Sequence, residues 1–411
     1  MKSSKTTLMK NPTSAKKIAG DEAVLSIPTP TNGNALGLYI HIPFCRKKCD
    51  YCHFYVLPDK KNLVESYFQA LLKELSSAKE KIETQQTLVS IYLGGGTPPL
   101  LGIERLEILL RKIFIQFPCS SKLEVTIEAN PEFLTAEFLR QSLAIGINRL
   151  SLGVQSFNQE HLHTLSRTHT SKQCSESVML AKAIGFNNIS VDLMFDIPHQ
   201  TYESWQQTLS TACELPITHL SLYNLTIEPH TVFYKKRHSL AAAQMSEEIS
   251  KSCYELAQHY LKEKQFTQYE ISAFCRNGAY SVHNTGYWEG RSFLGLGPSA
   301  FSDWNGTRYR NICHLGRYCR ALMEGLSPVD FSETLLAEPR QRERLVVALR
   351  LFKGVDLEQF QRTFGPFSST LNESIHELIQ HHLLEVIDGK ILRLTERGVF
   401  LYDSIAVELI E

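Results

Sequence analysis

From residue 36 onward, short apolar runs alternate with longer stretches in which apolar positions recur at helical spacing. The short runs are typical of buried strands, and the longer periodic stretches are typical of amphipathic helices. The predicted strands are Leu38–Ile42, Val89–Leu93, Leu123–Glu128, Arg149–Val154, Ile189–Met194 and Leu220–Asn224. The predicted helices are Leu63–Lys81, Ile103–Phe117, Ala136–Leu143, Lys172–Ile184, Tyr202–Cys213 and Ser246–Glu263. This alternation predicts an α/β fold in which helices cover a parallel sheet.

A different pattern begins near Leu335. It predicts the helices Gln341–Lys353, Leu357–Phe364 and Leu371–Leu384, followed by the strands Leu384–Ile387 and Ile391–Leu394. Asp388 and Gly389 between these strands are a strong hairpin signal, and the order resembles a winged-helix module. Winged helices often bind DNA, but the helix where base contacts would arise carries Glu373 and Glu377 and no arginine. We therefore expect a structural or partner-facing domain and no nucleic-acid partner.

Composition excludes several classes of protein. The chain of 411 residues has 43% hydrophobic and 21% charged residues and a formal net charge of zero, so nothing indicates a polyanionic partner. The 10 cysteines, without an apolar leader, fit a reducing compartment, and no apolar run is long enough to predict a membrane span. We expect a cytoplasmic protein. Residues 1–35 carry lysines and few acids, which predicts a disordered basic tail, with a targeting role as the alternative.

Unusual polar and glycine residues occur where the predicted strands end. They are Cys45, Gly94–Gly96, Glu128, Gln155, Asp192 and Asn224. In βα barrels the chemistry lies at the carboxyl ends of the strands, where the variable loops emerge. The sequence therefore predicts one site at one rim.

Three of the cysteines, Cys45, Cys49 and Cys52, lie in one short run, and the next cysteine is Cys119. Three thiolates can hold a cubane iron–sulfur cluster and leave its fourth iron open, whereas electron-transfer clusters and structural zinc usually take four protein ligands. A zinc site completed by His41 or His53 is the alternative. We predict a metal centre on the three cysteines.

The spacing Cys-x3-Cys-x2-Cys, preceded by Tyr39–Phe44 and followed by Phe54, resembles the radical S-adenosylmethionine (SAM) superfamily. It is most similar to the branch that contains oxygen-independent coproporphyrinogen III dehydrogenase and the HemW-type heme chaperones. The resemblance implies a [4Fe-4S] cluster whose open iron is chelated by SAM. It also implies a partial (β/α)6 TIM-like barrel with a C-terminal winged-helix-like domain, since six units are too few for a closed eight-unit barrel.

The resemblance further implies the residues that bind SAM. They are Tyr39, the backbone of Tyr51, Gly95, Gly96, Thr97, Glu128, Gln155, Arg167 and Asp192. The glycines would meet the SAM amino group, Arg167 its carboxylate and Asp192 its ribose hydroxyls. Taken alone, Glu128 would be interpreted as a surface acid at a strand end, and a solvated charge is the less favoured alternative for Arg167. Asp196 stands where the family usually has glycine, which leaves the shape of that loop open.

The segment His283–Trp288 reads His-Asn-Thr-Gly-Tyr-Trp and is shared with the heme-chaperone branch. An imidazole beside two aromatic rings suits a flat macrocycle with a central metal. We therefore predict His283 as a heme ligand, with His169 and His41 next. The alternative is a packed core histidine with aromatic neighbours.

Two functions follow from the resemblance. One is a heme chaperone, which binds heme and passes it to an acceptor protein not identified by the sequence. The other is the dehydrogenase, which decarboxylates two propionates of coproporphyrinogen III. Two departures favour the chaperone: Phe54 stands where the enzymes have a fourth cysteine, and Ile27–Asn32 replaces their Arg-Tyr-Thr-Ser-Tyr-Pro run. An unrelated radical SAM enzyme is disfavoured by the match at His283–Trp288. The predicted domains are the tail 1–35, the barrel 36–265, a barrel extension 266–334 and the C-terminal domain 335–411.

Overall fold

The predicted alternation of strands and helices is present in a computed structural model, which describes residues 34–58, 60–81 and 86–411. Within these residues the strands, numbered along the chain, are β1 Ala35–Ile42, β2 Phe44–Cys45, β3 Leu57–Pro58, β4 Thr87–Gly95, β5 Cys119–Ala129, β6 Arg149–Gln155, β7 Asn188–Phe195, β8 His219–Asn224, β9 Thr267–Glu270, β10 Ala273–Cys275, β11 Phe293–Leu296, β12 Phe301–Trp304, β13 Thr307–Asn311, β14 Val329–Thr334, β15 Val355–Asp356, β16 Leu384–Ile387 and β17 Ile391–Leu394. The predicted tail lies outside the described residues except at its last two positions.

The helices of the described residues, numbered in the same way, are α1 Val64–Lys81, α2 Ile103–Gln116, α3 Ala136–Ala144, α4 Gln159–Thr164, α5 Ser171–Ile184, α6 Tyr202–Glu214, α7 Val232–Lys235, α8 Arg237–Ala241, α9 Glu247–Glu263, α10 Val282–Trp288, α11 Leu315–Met323, α12 Ala337–Ala348, α13 Leu357–Phe364, α14 Ser369–Gln380, α15 Glu396–Phe400 and α16 Tyr402–Ile410. Short 3₁₀ turns occur at Lys61–Leu63, Pro98–Leu101 and Pro131–Phe133. Local sequence sets many of the boundaries. Thr170 forms a capping box at the start of α5, and Gly185 ends that helix in the left-handed conformation.

The parallel strands form one curved sheet. The order β1-β4-β5-β6-β7-β8 runs through its centre with every neighbouring pair parallel, as the alternating pattern predicted. Beyond β1 the sheet continues through the parallel strand β11 and the antiparallel strands β12, β13 and β14, and beyond β8 through the antiparallel strands β10 and β9. Its edge strands are β14 and β9, so the described sheet is not closed. The α/β fold with a partial radical SAM-type barrel is confirmed. The outer face of the sheet packs apolar side chains such as those of Leu38, Ile40 and Ile42 against the helices.

The sequence analysis did not predict one of the parallel strands. Strand β11 pairs in parallel with β1, from Gly37↔Phe293 to Ile40↔Leu296, and so extends the parallel series beyond the predicted six. The signal was present in the sequence as a short apolar run interrupted by Gly295. A Cβ at Gly295 would overlap the carbonyl oxygen of Phe301 on the neighbouring strand. The glycine is required by close approach of two backbones.

Helix α10 covers the amino-terminal end of the barrel. Its first two backbone N–H groups, at Val282 and His283, donate to the two carboxylate oxygens of Glu124 over 2.9 and 3.0 Å. Glu124 is buried and projects from β5 inside the barrel. A carboxylate at a helix N-terminus satisfies free N–H groups and meets the positive end of the helix dipole. The segment His283–Trp288, which the sequence analysis singled out, forms all but the first residue of this helix.

The C-terminal part combines α12, α13 and α14 with a three-stranded antiparallel sheet of order β15-β17-β16. Strand β15 completes the wing and was not predicted. The predicted helix Gln341–Lys353 is wrong at both ends, since α12 spans Ala337–Ala348. Residues past Ala348 leave the helix because they pair with β9: Leu351 bridges Glu270, and the N–H of Phe352 donates to Tyr269 over 3.0 Å. The division of the chain at residues 265 and 334 stays a prediction.

No helix within the described ranges is long and apolar enough to cross a membrane.

Candidate metal centre and cofactor site

The three predicted cysteines share one loop at the carboxyl end of β1. Strands β2 and β3 pair in parallel and close the loop at its base, where the N–H of Leu57 donates to Pro43 over 2.6 Å. A turn inside the loop brings the N–H of Cys52 to 3.1 Å from the carbonyl oxygen of Cys49. All three thiols are partly exposed. The loop therefore presents Cys45, Cys49 and Cys52 from one compact segment.

The glycine turn after β4 is hydrogen-bonded to the segment that leads into this loop. The N–H groups of Gly96 and Thr97 donate to the carbonyl oxygens of Ile42 and Phe44 over 2.8 and 2.7 Å. A Cβ at Gly96 would lie 2.5 Å from the carbonyl oxygen of Phe44, so only glycine permits this approach. The Thr97 hydroxyl donates to the Cys45 sulfur over 3.7 Å. The predicted SAM loop and the cysteine loop are thus one bonded unit.

Protein groups also act on the thiols electrostatically. Burial raises the pKa of the Cys45 thiol to about 11, and the neighbouring Cys52 and Cys49 add to this shift. Burial likewise raises the pKa of the Cys52 thiol. In the metal-free protein these two thiols are therefore protonated at neutral pH, and binding a metal would release their protons.

Glu128 lies beside the glycine turn. Its carboxylate accepts from the Tyr92 hydroxyl over 2.8 Å and from the N–H of Gly95 over 3.0 Å. Burial raises the pKa of Glu128 to about 7; the two hydrogen bonds oppose this shift, and the nearby Asp192 adds to it. Burial also raises the pKa of Asp192 to about 6. Two carboxyls that are costly to ionise face one space, which favours a ligand that carries positive charge.

Arg167 reaches the cysteine loop from the segment after α4. Its guanidinium donates to Asn130 over 2.6 Å, to the carbonyl oxygen of Gly153 over 2.5 Å and to the Cys49 sulfur over 3.4 Å. Gln155 follows Gly153 at the end of β6 and adopts a left-handed backbone with φ of 70°. Arg167 therefore links residues at the ends of β5 and β6 to Cys49, and the alternative of a solvated Arg167 side chain does not hold.

The two tyrosines predicted to bind SAM, Tyr39 and Tyr51, and the unusual Asp196 also lie near this rim. The Tyr39 hydroxyl lies 3.0 Å from Nδ1 of His41, and its ring lies 6.2 Å from that of Tyr92. The Tyr51 ring packs near Phe233, with centroids 6.3 Å apart. Asp196, the residue in place of the usual glycine, adopts φ of 62° and accepts from the N–H of Met245, so the loop keeps a left-handed turn with an aspartate.

Two residues that sequence reasoning missed belong to this interior. Tyr92 holds Glu128, and its position on the inner face followed from the alternation along β4. Arg149 is buried at the start of β6, where its guanidinium lies 3.9 Å from Glu124. Its positive charge opposes part of the rise that burial causes in the pKa values of Glu128 and Asp192, so Arg149 is an internal counter-charge. The sequence did not indicate that Arg149 is buried, because an arginine at the start of a strand is usually exposed to solvent.

His283 lies away from the cysteine loop, inside the barrel on α10. It is 3% exposed, and both ring nitrogens are hydrogen-bonded, Nδ1 to the Ser90 hydroxyl at 2.9 Å and Nε2 to the Tyr287 hydroxyl at 2.8 Å. The ring nitrogens of the two other predicted heme ligands, His41 and His169, are also hydrogen-bonded. His41 bonds Tyr39 and the carbonyl oxygen of Tyr55, and His169 bonds Glu132 and the carbonyl oxygen of Val154. Heme ligation by any of them stays a prediction.

Comparison with known proteins places these features in a family. Residues 39–212 match the radical SAM superfamily model, and residues 335–401 match the HemN C-terminal domain model. The heme chaperone HemW of Lactococcus lactis is 34% identical over 372 residues, which cover 89% of this chain and 95% of that protein. The heme chaperone HemW of Bacillus subtilis is 34% identical over 88% of this chain and 98% of its own length.

Among solved structures, the coproporphyrinogen III oxidase HemN of Escherichia coli, a radical SAM enzyme, superposes with a TM-score of 0.80. It is 23% identical and the match covers 92% of this chain and 90% of that enzyme, so the two share a fold. With near-complete coverage of relatives above 30% identity, and with the cysteine loop, glycine turn and C-terminal domain in place, the chain belongs to the HemW family of heme chaperones, within the radical SAM superfamily.

Proposed function

We propose that this protein carries a [4Fe-4S] cluster on Cys45, Cys49 and Cys52, binds SAM beside it, and binds heme for transfer to an acceptor protein. The observation that carries the proposal is the three-thiol loop bonded to the Gly95–Thr97 turn, in a chain that matches heme chaperones over nearly its whole length. The three sulfurs, with donors from Thr97 and Arg167, suit a soft metal cluster. When bound, the cluster supplies an iron with a free coordination position for SAM.

The SAM residues have complementary parts in this proposal. Glu128 and Asp192 supply negative charge for the amino and sulfonium groups or for ribose hydroxyls, and Arg167 supplies a fork for the carboxylate. Gly95, Gly96 and Thr97 form the turn along which the ligand lies, and Gln155 contributes an amide at the end of β6. Tyr39 and Tyr51 contribute ring surface and, at Tyr51, backbone. The protein groups bind and orient the ligand.

Heme binding is supported by family membership rather than by a free ligand among the predicted histidines. In the structure His283 would have to give up its bonds to Ser90 and Tyr287 before a ring nitrogen could reach iron. The His283→Gln variant tests this ligand directly, because heme affinity equal to that of the unaltered protein would move the ligand elsewhere. The acceptor protein stays unidentified, and we propose a cytoplasmic location.

The experiment begins with anaerobic purification and reconstitution. Iron, sulfide and SAM stoichiometry are measured first. The protein is then titrated with hemin, and the hemin complex is mixed with a heme-free cytochrome b in the presence of excess albumin, which captures heme that has dissociated. We expect one heme per chain and transfer that resists albumin.

Coproporphyrinogen III turnover is assayed in parallel on the reduced, SAM-supplied protein. The dehydrogenase alternative predicts accumulation of protoporphyrinogen over many turnovers per cluster, and that result would overturn the chaperone proposal. Phe54, which stands where the enzymes have a fourth cysteine, is 56% exposed next to the cluster loop.

A further inference from the structure

The histidine of α10 is connected to the SAM side of the barrel by an unbroken series of contacts. The His283 ring stacks on the Tyr92 ring, with centroids 5.0 Å apart and an interplanar angle of 29°. The Tyr92 hydroxyl then donates to Glu128 over 2.8 Å. Stacking against His283 on one face restricts the movement of the Tyr92 ring and so fixes the position of its hydroxyl group. Because Glu128 accepts a hydrogen bond from this hydroxyl, the stacking also limits the positions that the Glu128 carboxylate can take.

Both nitrogens of the His283 ring are hydrogen-bonded, which fixes the orientation of the ring. Ser90 on β4 bonds Nδ1, and Tyr287, one turn later on α10, bonds Nε2. The backbone N–H of His283 is anchored on Glu124. The other aromatic residues of the segment His283–Trp288 are also engaged: the Tyr287 ring packs on Phe293 at 4.6 Å, and the Trp288 ring lies 4.4 Å under the Arg350 guanidinium. Each of these rings has a packing partner within the protein, but the buried indole N–H of Trp288 has no hydrogen-bond partner among the described residues.

We infer that His283 is a positioning residue for the SAM site, which holds Tyr92 and through it the carboxylate of Glu128. The inference rests on the proposal that Glu128 contacts SAM. It gives His283 a part in SAM binding that depends on ring stacking and hydrogen bonds between neutral groups, not on a charge.

Electrostatics support a neutral ring. Burial lowers the pKa of His283 to about 3, and the nearby Arg291 and Arg149 guanidinium groups add to this shift. The groups facing the ring are Ser90, Tyr92, Tyr287 and Tyr39, and Arg291 packs behind it against Gly286. A neutral imidazole can accept one hydrogen bond and donate the other, which matches its two hydroxyl partners.

The chain offers a matched control. His219 on β8 is fully buried inside the same barrel, with Nδ1 at 2.8 Å from the Ser190 hydroxyl and Nε2 at 2.8 Å from the Tyr269 hydroxyl. Its ring contact is with Tyr269, not with Tyr92. Replacing either histidine removes the same kind of interaction from the same core, but only one replacement releases Tyr92.

The test measures SAM affinity by anaerobic calorimetry in four variants of the reconstituted protein. They are His283→Gln, Tyr92→Phe, the double variant of these two, and His219→Gln. We expect His283→Gln and Tyr92→Phe each to weaken SAM binding by about tenfold, the effect of one hydrogen bond to a charged group. The double variant should be no weaker than Tyr92→Phe, because His283 acts through Tyr92. His219→Gln should bind SAM normally even if it melts at a lower temperature.

Unchanged SAM affinity in His283→Gln, or losses that multiply in the double variant, would overturn the inference. Loss of heme binding in His283→Gln with SAM binding intact would do so too and would make His283 a heme ligand. Should His283→Gln not fold, Tyr92→Phe and Ser90→Ala carry the test, and normal SAM affinity in both would refute the inference. Absence of SAM binding by the unaltered protein would instead refute the proposed function, and the inference with it.

Discussion

Individual buried charges account for the chemistry of the barrel interior. Glu124, Glu128 and Asp192 surround one guanidinium, that of Arg149, whose Nε and Nη1 have no hydrogen-bond partner among the described residues. Arg291 also acts on Glu124, and Arg167 also acts on Asp192, so these two carboxyls have a second counter-charge. Glu128 keeps a raised pKa beside Arg149, which favours added positive charge or a proton at this carboxyl. SAM carries a sulfonium and an amino group, which would suit such a carboxylate.

At the residue scale, the cluster prediction concerns the three loop cysteines. Replacing Cys45, Cys49 or Cys52 singly by serine should remove the broad visible absorbance and most of the iron of the reconstituted protein, because a hydroxyl is a poor ligand for soft iron–sulfur clusters. Iron and sulfide analysis checks this. Cys119→Ser, which changes an exposed thiol outside the loop, is the control and should keep full iron. Full iron retention in all three loop variants would contradict the assignment.

SAM affinity should depend on pH through Glu128. The pKa of Glu128 in the free protein is raised to about 7, so the carboxyl is mostly protonated at pH 6 and ionised at pH 8. A cationic ligand favours the ionised form. Affinity should therefore fall by about tenfold between pH 8 and pH 6, one pKa unit being a factor of ten.

Glu128→Gln is the control for this titration, because it keeps the shape of the side chain without its charge. The groups that face Glu128 are Tyr92, Gly95, Asp192 and Arg149, and all remain in the variant. Calorimetry over the same pH range should show the tenfold fall only in the unaltered protein. Equal pH profiles of the two proteins would assign the titration to SAM itself or to Asp192.

At the scale of elements, the glycine turn after β4 holds the cysteine loop by backbone bonds. Gly96→Ala should weaken that contact, because its Cβ would meet the carbonyl oxygens of Phe44 and Ile42 at 2.5 and 2.9 Å, and backbone cannot move aside cheaply. We expect a lower melting temperature and reduced cluster occupancy. Gly316→Ala on α11 is the control, since its Cβ would meet only the His314 ring at 3.4 Å and alanine favours helix. Similar iron content in both variants would refute this dependence.

At the scale of the whole molecule, the ion pair of Glu270 and Arg350 is one of the contacts between the C-terminal domain and the barrel. Glu270 is buried at the end of β9 and accepts from Arg350 over 3.3 Å. Arg350→Ala leaves that carboxylate uncompensated and should lower the free energy of unfolding by about 3 kcal/mol, as for other broken buried pairs. Denaturant unfolding measures the change.

A double-mutant cycle separates the ion pair from packing. Arg350 also lies over the Trp288 and Tyr402 rings at 4.4 and 5.2 Å, and these contacts are lost in any background. In the Glu270→Gln background Arg350→Ala should therefore cost clearly less than in the unaltered protein. Equal costs in both backgrounds would show that ring packing, not the ion pair, accounts for the stability lost in Arg350→Ala.

Sequence alone determined the repeating part of the fold. Hydrophobic periodicity and helix caps are local properties, and they predicted the six central strands, the helices between them and the hairpin Leu384–Leu394 within a few residues. The cysteine spacing and the glycine turn are also local, so a metal site on the cysteines and the neighbouring rim could be predicted before the structure. Family membership followed from the same motifs and is confirmed by the comparisons.

Tertiary structure decided what depends on residues far apart in the chain. Strand β11 joins β1, and Leu351 leaves its helix, because of partners that no local pattern reveals. The bonds of His283 come from β4, from its own helix and from stacking on Tyr92, while Arg149 meets a carboxylate of another strand. Burial and charge pairing are set by all the elements that pack around a side chain. For that reason the sequence could name His283 but could not say that both of its ring nitrogens are already bonded.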